Sequence, residues 1–284
     1  MKHLDIKSTY NEKLALVTGG SSGIGLAIAR LLADSGARVW LLARDKNRLT
    51  EALADIRSRA GERAPHCGLL AVDVADEPHL TSALTHLKSQ AGTPDLIINS
   101  AGITRPGYFH EIPLEEYRRL MAVNYFGTLQ VILHFAPQMI QRGSGQIVNI
   151  SSLAGMIGVY GYAAYGGSKF AVSGLSEALR AEFKPHGIQV SLVLPPDTDT
   201  PMMADENEYK PPIVKELSST GGFLSPEQVA RETLQRVARG QFLILPGRES
   251  KMLYLLRNLS GRLQYPLMDF LVSRAARKVA KPAR

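Results

Sequence analysis

Short runs of aliphatic and β-branched residues alternate along the chain with longer stretches whose apolar positions recur at helical spacing. The short runs lie near Lys13 to Val17, Arg38 to Leu42, Gly68 to Val72, Leu96 to Asn99, Gln146 to Ile150, Gln189 to Leu194 and Phe242 to Leu245, and they read as strands. Helices are predicted over Gly23 to Ser35, Lys46 to Ala60, Glu77 to Gln90, Leu114 to Gln141, Ala164 to Lys184 and Pro226 to Arg239. Before the last of these, Ser225 stands at the N-cap and Gln228 at the capping-box position. Strands separated by single helices need right-handed crossovers, so the order predicts an α/β fold with one doubly wound, Rossmann-type parallel sheet of about seven strands and helices on both faces. No solenoid-type repeat and no low-complexity linker interrupts it. A single body over residues 1–247 is therefore expected, with a Pro-rich loop and helix at 195–224 and a C-terminal extension at 248–284.

Composition narrows the class. With 284 residues, 45% hydrophobic and 21% charged, the chain can bury a sizeable core and is neither collagen-like nor wholly disordered. Its one cysteine, Cys67, cannot form an internal disulfide. The histidines (His3, His66, His79, His86, His110, His134, His186) show no ligand-like clustering, so no metal is expected. The net charge of +7 suggests an anionic partner until its distribution is read. From Arg248 to Arg284 there are nine basic residues against Glu249 and Asp269, which leaves the rest of the chain neutral. Any anionic partner should meet the extension, and nucleic acid is not expected as a partner of the body. Met1 to Glu12 is polar and unlike a secretion signal, so a cytoplasmic protein is expected. Met252 to Val272 is interrupted by Arg257, Arg262, Pro266 and Asp269 and should not span a bilayer.

The chemistry begins at Thr18-Gly19-Gly20-Ser21-Ser22-Gly23-Ile24-Gly25, which follows the first strand and opens the first helix. Backbone amides and the positive end of the helix dipole can hold a pyrophosphate there. After the second strand the chain reads Leu42-Ala43-Arg44-Asp45. An acid at this point would bind the ribose hydroxyls of NAD. Arg44 instead suits the extra phosphate of NADP, with Asp45 a competitor for its charge. Asp73 ends the third strand and either accepts from the adenine amino group, with Val74 beside the ring, or caps the next helix.

Tyr165 and Lys169 are four residues apart and share one helix face, where the ammonium can lower the phenol pKa. Ser152 stands thirteen residues before Tyr165, at the end of the fifth strand, and could stabilise a developing oxyanion. Taken singly, Tyr165, Ser152 and Asn124 also have ordinary structural readings. Taken together with the Gly motif and Asn99-Ser100-Ala101-Gly102, they resemble the short-chain dehydrogenase/reductase family over roughly Lys13 to Leu245. The resemblance implies an oxidoreductase that uses NADPH/NADP+, with Asn124, Ser152, Tyr165 and Lys169 catalytic. It implies a cofactor site built from Gly19, Ser21, Ser22, Gly23, Ile24, Gly25, Asn99, Ala101, Gly102, Pro195, Thr198 and Thr200, joined by Arg44, Asp73, Val74, Tyr165 and Lys169. Lys169 would hold the nicotinamide ribose, Thr200 would contact the carboxamide, and Asn124 would position a water leading from Lys169 to solvent. Ser100 and Pro196 depart from the family, which often has Asn and Gly there.

After the sixth strand, Pro195-Pro196-Asp197-Thr198-Asp199-Thr200-Pro201 with Glu206-Asn207 resembles the 3-ketodihydrosphingosine reductases within that family. This implies a long-chain keto amino alcohol as substrate, with another lipid or steroid ketone as the runner-up and a catalytically silent NADP-binding sensor as the third reading. Asp197, Asp199, Asp205, Glu206 and Glu208 make the loop acidic, and either orient the substrate amine, with Asp197 and Asp199 the leading candidates, or cap local turns. In the extension, Tyr254, Leu255, Leu259, Leu263, Leu267, Phe270 and Leu271 accompany the basic residues. That pattern fits a helix in an anionic membrane interface, or one packed on the body or in a dimer contact.

Overall fold

In the computed structural model, residues 6–218 and 223–280 are described. Positions 219–222 of the Pro-rich loop, and Lys281 and Arg284 of the basic extension, lie outside them.

All five residues of β1 (Leu14–Thr18) are buried, as are all four of β4 (Leu96–Asn99). Strands covered on both faces show no polar alternation, which is why these runs are apolar up to their last residues, Thr18 and Asn99. They belong to a parallel sheet in the order β3-β2-β1-β4-β5-β6-β7, completed by β2 (Arg38–Ala43), β3 (Gly68–Ala71), β5 (Gly145–Ile150), β6 (Ile188–Val193) and β7 (Leu243–Ile244). The order reverses between β1 and β4, and the crevice at the carboxyl ends of these strands is where ligands bind in such sheets. Register brings the strand ends level: Thr18 pairs with Leu42 on one side and Asn99 on the other, and Asn99 pairs with Asn149.

Helices cover both faces. A short helix α1 (Ile6–Tyr10) precedes β1, and α2 (Gly23–Asp34), α3 (Lys46–Ala60) and α4 (Glu77–Ala91) connect the first strands. On one face Ile28 and Leu32 of α2 pack with Leu53 and Ile56 of α3 and with Val17 and Val39 of the sheet. On the other, Leu80 and Leu84 of α4 pack with Val131, Phe135 and Met139. Truncating a fully buried aromatic such as Phe135 would cost about 3 to 5 kcal/mol.

The expected long helix over Leu114 to Gln141 is three pieces: α5 (Leu114–Met121), a π-helical turn (Ala122–Phe126) and α6 (Gly127–Arg142). The π turn re-aims Asn124 inward, and at Gly127 a Cβ would lie 2.7 Å from Val74 Cγ2. Helix α7 (Ala163–Phe183) follows β5. After β6 come α8 (Pro201–Tyr209), α9 (Pro212–Ser218) and α10 (Pro226–Val237). The extension is two helices, α11 (Gly247–Ser260) and α12 (Gln264–Val279), broken at Gly261 with φ +49°. Helix α12 packs on α9, and Lys278 Nζ lies 2.7 Å from Glu216 Oε1. Among the described residues no helix is long and apolar enough to cross a membrane.

Candidate active site

The turn after β1 is built for close backbone approach. Gly19 (φ +66°) and Gly23 (φ +53°) adopt left-handed backbone. A Cβ on Gly19 would lie 2.7 Å from Ser100 O, and one on Gly25 would fall inside contact distance of the Gly19 carbonyl oxygen. Thr18 Oγ1 accepts from both Ser100 N and Ala101 N at 3.1 Å, tying the ends of β1 and β4 together. Ser22 makes no side-chain cap, and the first turn of α2 carries no acid. Its amides thus meet neither a capping oxygen nor a repelling carboxylate, and the turn fits a dinucleotide pyrophosphate. Thr200 reaches this turn from the other side, its Cγ2 3.1 Å from the position of a Gly23 Cβ.

At the far end of the crevice, Arg44 Nη1 lies 3.7 Å from Asp73 Oδ2, with the arginine side chain 58% exposed. Asp45 is not the competitor for Arg44 that the sequence suggested. Its carboxylate caps α3, accepting from Asn47 N at 2.9 Å and Arg48 N at 3.1 Å. Asp73 also caps its own turn, accepting from Ala75 N at 2.9 Å. The Val74 side chain is buried against Gly127, inside the helix layer.

Ser152, Tyr165 and Lys169 come together at the ends of β5 and α7. Ser152 caps a short 3-10 turn, its Oγ accepting from Ala154 N at 3.1 Å, and its hydroxyl is hydrogen-bonded to that of Tyr165. Lys169 Nζ donates to Ile150 O at 3.0 Å and stands 5.7 Å from the centroid of the Tyr165 ring. Burial lowers the Lys169 pKa to about 8. The expectation that this ammonium pulls the phenol down is corrected. Burial raises the Tyr165 pKa, and the negative charges of Glu206 and Asp197 raise it further, against a lowering by the Ser152 hydrogen bond. The lysine charge is held by a strand carbonyl and faces the ring. The phenol therefore keeps its proton at neutral pH.

Asn124 is fully engaged: Nδ2 donates to Ile103 O at 3.0 Å and Ser168 Oγ at 2.8 Å, and Oδ1 accepts from Ile103 N at 2.8 Å. A Cβ on Gly102 would lie 3.3 Å from Asn124 Oδ1 and 3.4 Å from Lys169 Nζ, so these groups share one corner of the site. The Asn99 side chain points into the protein, donating to Asn149 Oδ1 at 2.9 Å, and Asn149 Nδ2 donates to Ser176 Oγ at 2.9 Å. Asn99 thus joins β4 to β5 and α7, while Ala101 and Gly102 form the crevice edge.

On the substrate side, Leu224 N donates to Asp197 O at 3.1 Å and Asp199 N to Leu224 O at 3.0 Å, which fixes the loop as a short ladder. Thr198 Oγ1 donates to Pro196 O at 2.9 Å. Thr200 caps α8, accepting from Met203 N at 3.4 Å. Asp197 and Asp199 are exposed. Crowding by protein, Glu206 and Glu249 raise the Asp197 carboxyl, and the Lys210 ammonium opposes them. Glu206, by contrast, is committed internally: the Tyr162 hydroxyl donates to its Oε1 at 2.5 Å, and Lys210 Nζ lies 2.7 Å from the same oxygen. Tyr162 and Lys210 were not singled out from the sequence. Glu206 and Lys210 share the i,i+4 spacing of an ordinary helix pair, and nothing local connects Tyr162 to a residue 44 positions away.

This arrangement places the protein in a class of nicotinamide-dependent oxidoreductases. Residues 13–211 match the short chain dehydrogenase family, and the chain belongs to it. It is 39% identical over 239 residues to the 3-dehydrosphinganine reductase of Danio rerio, covering 84% of this chain and 72% of that protein. It is 36% identical, over the same shares, to the 3-ketodihydrosphingosine reductase of Mus musculus. A solved short-chain dehydrogenase from Sphingobium yanoikuyae in complex with NADPH superposes with a TM-score of 0.76 at 28% identity, over 90% of this chain and 95% of that one.

Proposed function

We propose that the protein reduces the 3-keto group of 3-ketodihydrosphingosine to dihydrosphingosine with NADPH. The observation that carries this reading is the meeting of Ser152, Tyr165 and Lys169 at the ends of β5 and α7, beside an acidic substrate loop, in a chain whose relatives carry that reductase name. Bound NADPH supplies the hydride that the ketone carbon accepts.

The chain's own residues do the rest. The Gly19 to Gly25 turn receives the pyrophosphate, and Arg44 the extra ribose phosphate, at one rim of the crevice. Ala101 and Gly102 edge the crevice, and Pro195, Thr198 and Thr200 carry its other wall. Ser152 holds the carbonyl oxygen and stabilises charge that develops on it. Tyr165 delivers a proton to that oxygen. Lys169 orients the ribose beside Tyr165, with Asn124 holding the Gly102 corner against it. A substrate ammonium adjacent to the ketone meets the carboxylate wall, Asp197 first, because its charge reaches Tyr165. An ion pair at 4 Å is worth about 4 kcal/mol gross at an effective dielectric of 20, less after desolvation.

The helical extension suits a substrate with an alkyl chain. Leu255, Leu259, Leu263, Leu267 and Phe270 are more than half exposed, next to Arg257, Arg262, Arg274 and Arg277. This face is proposed to rest on an anionic membrane surface, with the protein peripheral on the cytoplasmic side. Vesicles of phosphatidylcholine and phosphatidylserine should float the protein, and Leu259→Glu with Leu263→Glu should abolish flotation. Undiminished flotation of the double variant excludes this face.

The function is tested by incubating the purified protein with 3-ketodihydrosphingosine and either NADPH or NADH, with mass-spectrometric identification of the product. Dihydrosphingosine formed preferentially with NADPH is expected. No product with either cofactor overturns the assignment. A matched ketone lacking the amine, run on wild type, Asp197→Asn and Asp199→Asn, reads the role of each acid: an unchanged preference for the amine removes that residue.

A further inference from the structure

Tyr162, Glu206 and Lys210 form a polar cluster that the reaction as derived above does not use. Glu206 Oε1 accepts from the Tyr162 hydroxyl at 2.5 Å and lies 2.7 Å from Lys210 Nζ. The cluster is nearly dry, with the Lys210 side chain 3% and the Glu206 side chain 11% exposed. A buried ion pair of this kind contributes little net stability, because desolvation offsets most of its attraction, so its value lies in fixing geometry. What it fixes is specific. Glu206 sits on α8, at the substrate loop, and Tyr162 is the N-cap residue of α7, three positions before Tyr165. The Tyr162 ring meets the Tyr165 ring edge-on with centroids 6.1 Å apart. Behind it, α9 closes on the same corner, since a Cβ on Gly161 (φ +79°) would fall within contact of Val214 Cγ2.

We propose that Glu206 is a positioning residue for ketone reduction, acting through Tyr162 and Lys210 to latch α8 onto the start of the catalytic helix and hold the Tyr165 ring in register with Ser152. The inference rests on Tyr165 being the proton donor, as proposed above. The groups facing Tyr165 are Ser152 from the end of β5, Lys169 from its own helix, Asp197 from the loop after β6, and Glu206 and Tyr162 from the latch. The Glu206 charge raises the Tyr165 pKa, which helps keep the phenol protonated.

The test compares wild type with Tyr162→Phe, Glu206→Gln, Glu206→Asp and the double variant Tyr162→Phe/Glu206→Gln. The substrate is 3-ketodihydrosphingosine in detergent micelles with saturating NADPH. Tyr162→Phe keeps the ring and removes only the hydroxyl, so it folds even if Glu206→Gln does not. Misplacement by about 1 Å costs on the order of a hundredfold in rate, so kcat should fall by about ten- to a hundredfold in Tyr162→Phe. KM and the NADPH Kd should stay within about threefold. Glu206→Gln should cause a loss of the same size, the double variant should lose no more than either single, and Glu206→Asp should recover part of the rate. Full kcat in Tyr162→Phe, or additive losses in the double variant, overturns the latch. If wild type itself turns over no keto sphingoid base, it is the proposed function that has failed and not the latch.

Discussion

Two glycine-to-alanine substitutions in helices should act with opposite sign, and the difference follows from what a Cβ would meet. Gly174 lies in the interior of α7, exposed, with nothing within 4 Å of the point where a Cβ would stand and no left-handed backbone. Alanine there gains roughly 0.5 to 1 kcal/mol by removing conformational freedom from the unfolded chain. Gly25 is also helical, in the first turn of α2, and would claim a similar gain from propensity. Its Cβ, however, would overlap the Gly19 carbonyl oxygen and lie 2.9 Å from the Gly19 carbonyl carbon and 3.3 Å from Ser100 Oγ. The first two are backbone atoms of the glycine turn and cannot rotate away, so α2 must shift outward. Overpacking of this kind costs about 1 to 3 kcal/mol. The net change at Gly25 is therefore a loss of up to about 2 kcal/mol in stability. The cofactor suffers more, because the shift displaces the amides that receive its pyrophosphate, and each 1.4 kcal/mol lost there weakens binding about tenfold. Thermal melts and NADPH fluorescence titrations should show Gly174→Ala raising Tm with an unchanged Kd, and Gly25→Ala lowering Tm with Kd raised at least about tenfold. A Gly25→Ala protein as stable as Gly174→Ala, binding NADPH like wild type, would refute the proposed packing of the turn.

Tyr165→Phe should cut ketone reduction by about a hundred- to ten-thousandfold, as loss of a general acid does, with NADPH affinity within twofold or so by fluorescence titration. Lys169, with its pKa lowered to about 8 by burial, loses its charge as pH rises through that value. Reductase kcat/KM should accordingly decline above about pH 8, and a flat profile to pH 10 would exclude Lys169 as the group that must be charged. Arg44→Ala should weaken NADPH binding about tenfold or more while leaving NADH binding unchanged, and an equal loss for both cofactors would take Arg44 off the ribose phosphate.

Much of this was legible in the sequence because it is local. Apolar periodicity and the Gly19 to Gly25 run specify strand, turn and helix within some two dozen residues, and Tyr165, Lys169 and Ser152 announce themselves by spacing. Which partner each charge finds was decided elsewhere. Asp45 follows Arg44 directly and is the competitor the sequence suggests, yet it caps α3, and the carboxylate that reaches Arg44 is Asp73 from the turn after β3. The same holds for the phenol: spacing put Lys169 next to Tyr165, but the fold turned its ammonium to Ile150 O and set the charges of Glu206 and Asp197 where they act on the phenol. The sequence by itself determined the backbone path and the chemical groups at its turns, since dihedral preferences and periodicity act between near neighbours. Only the tertiary structure decided protonation and register, because burial and Coulomb interactions depend on distance in space, and residues far apart in the chain, such as Tyr162 and Glu206, meet only once the sheet has closed its crevice.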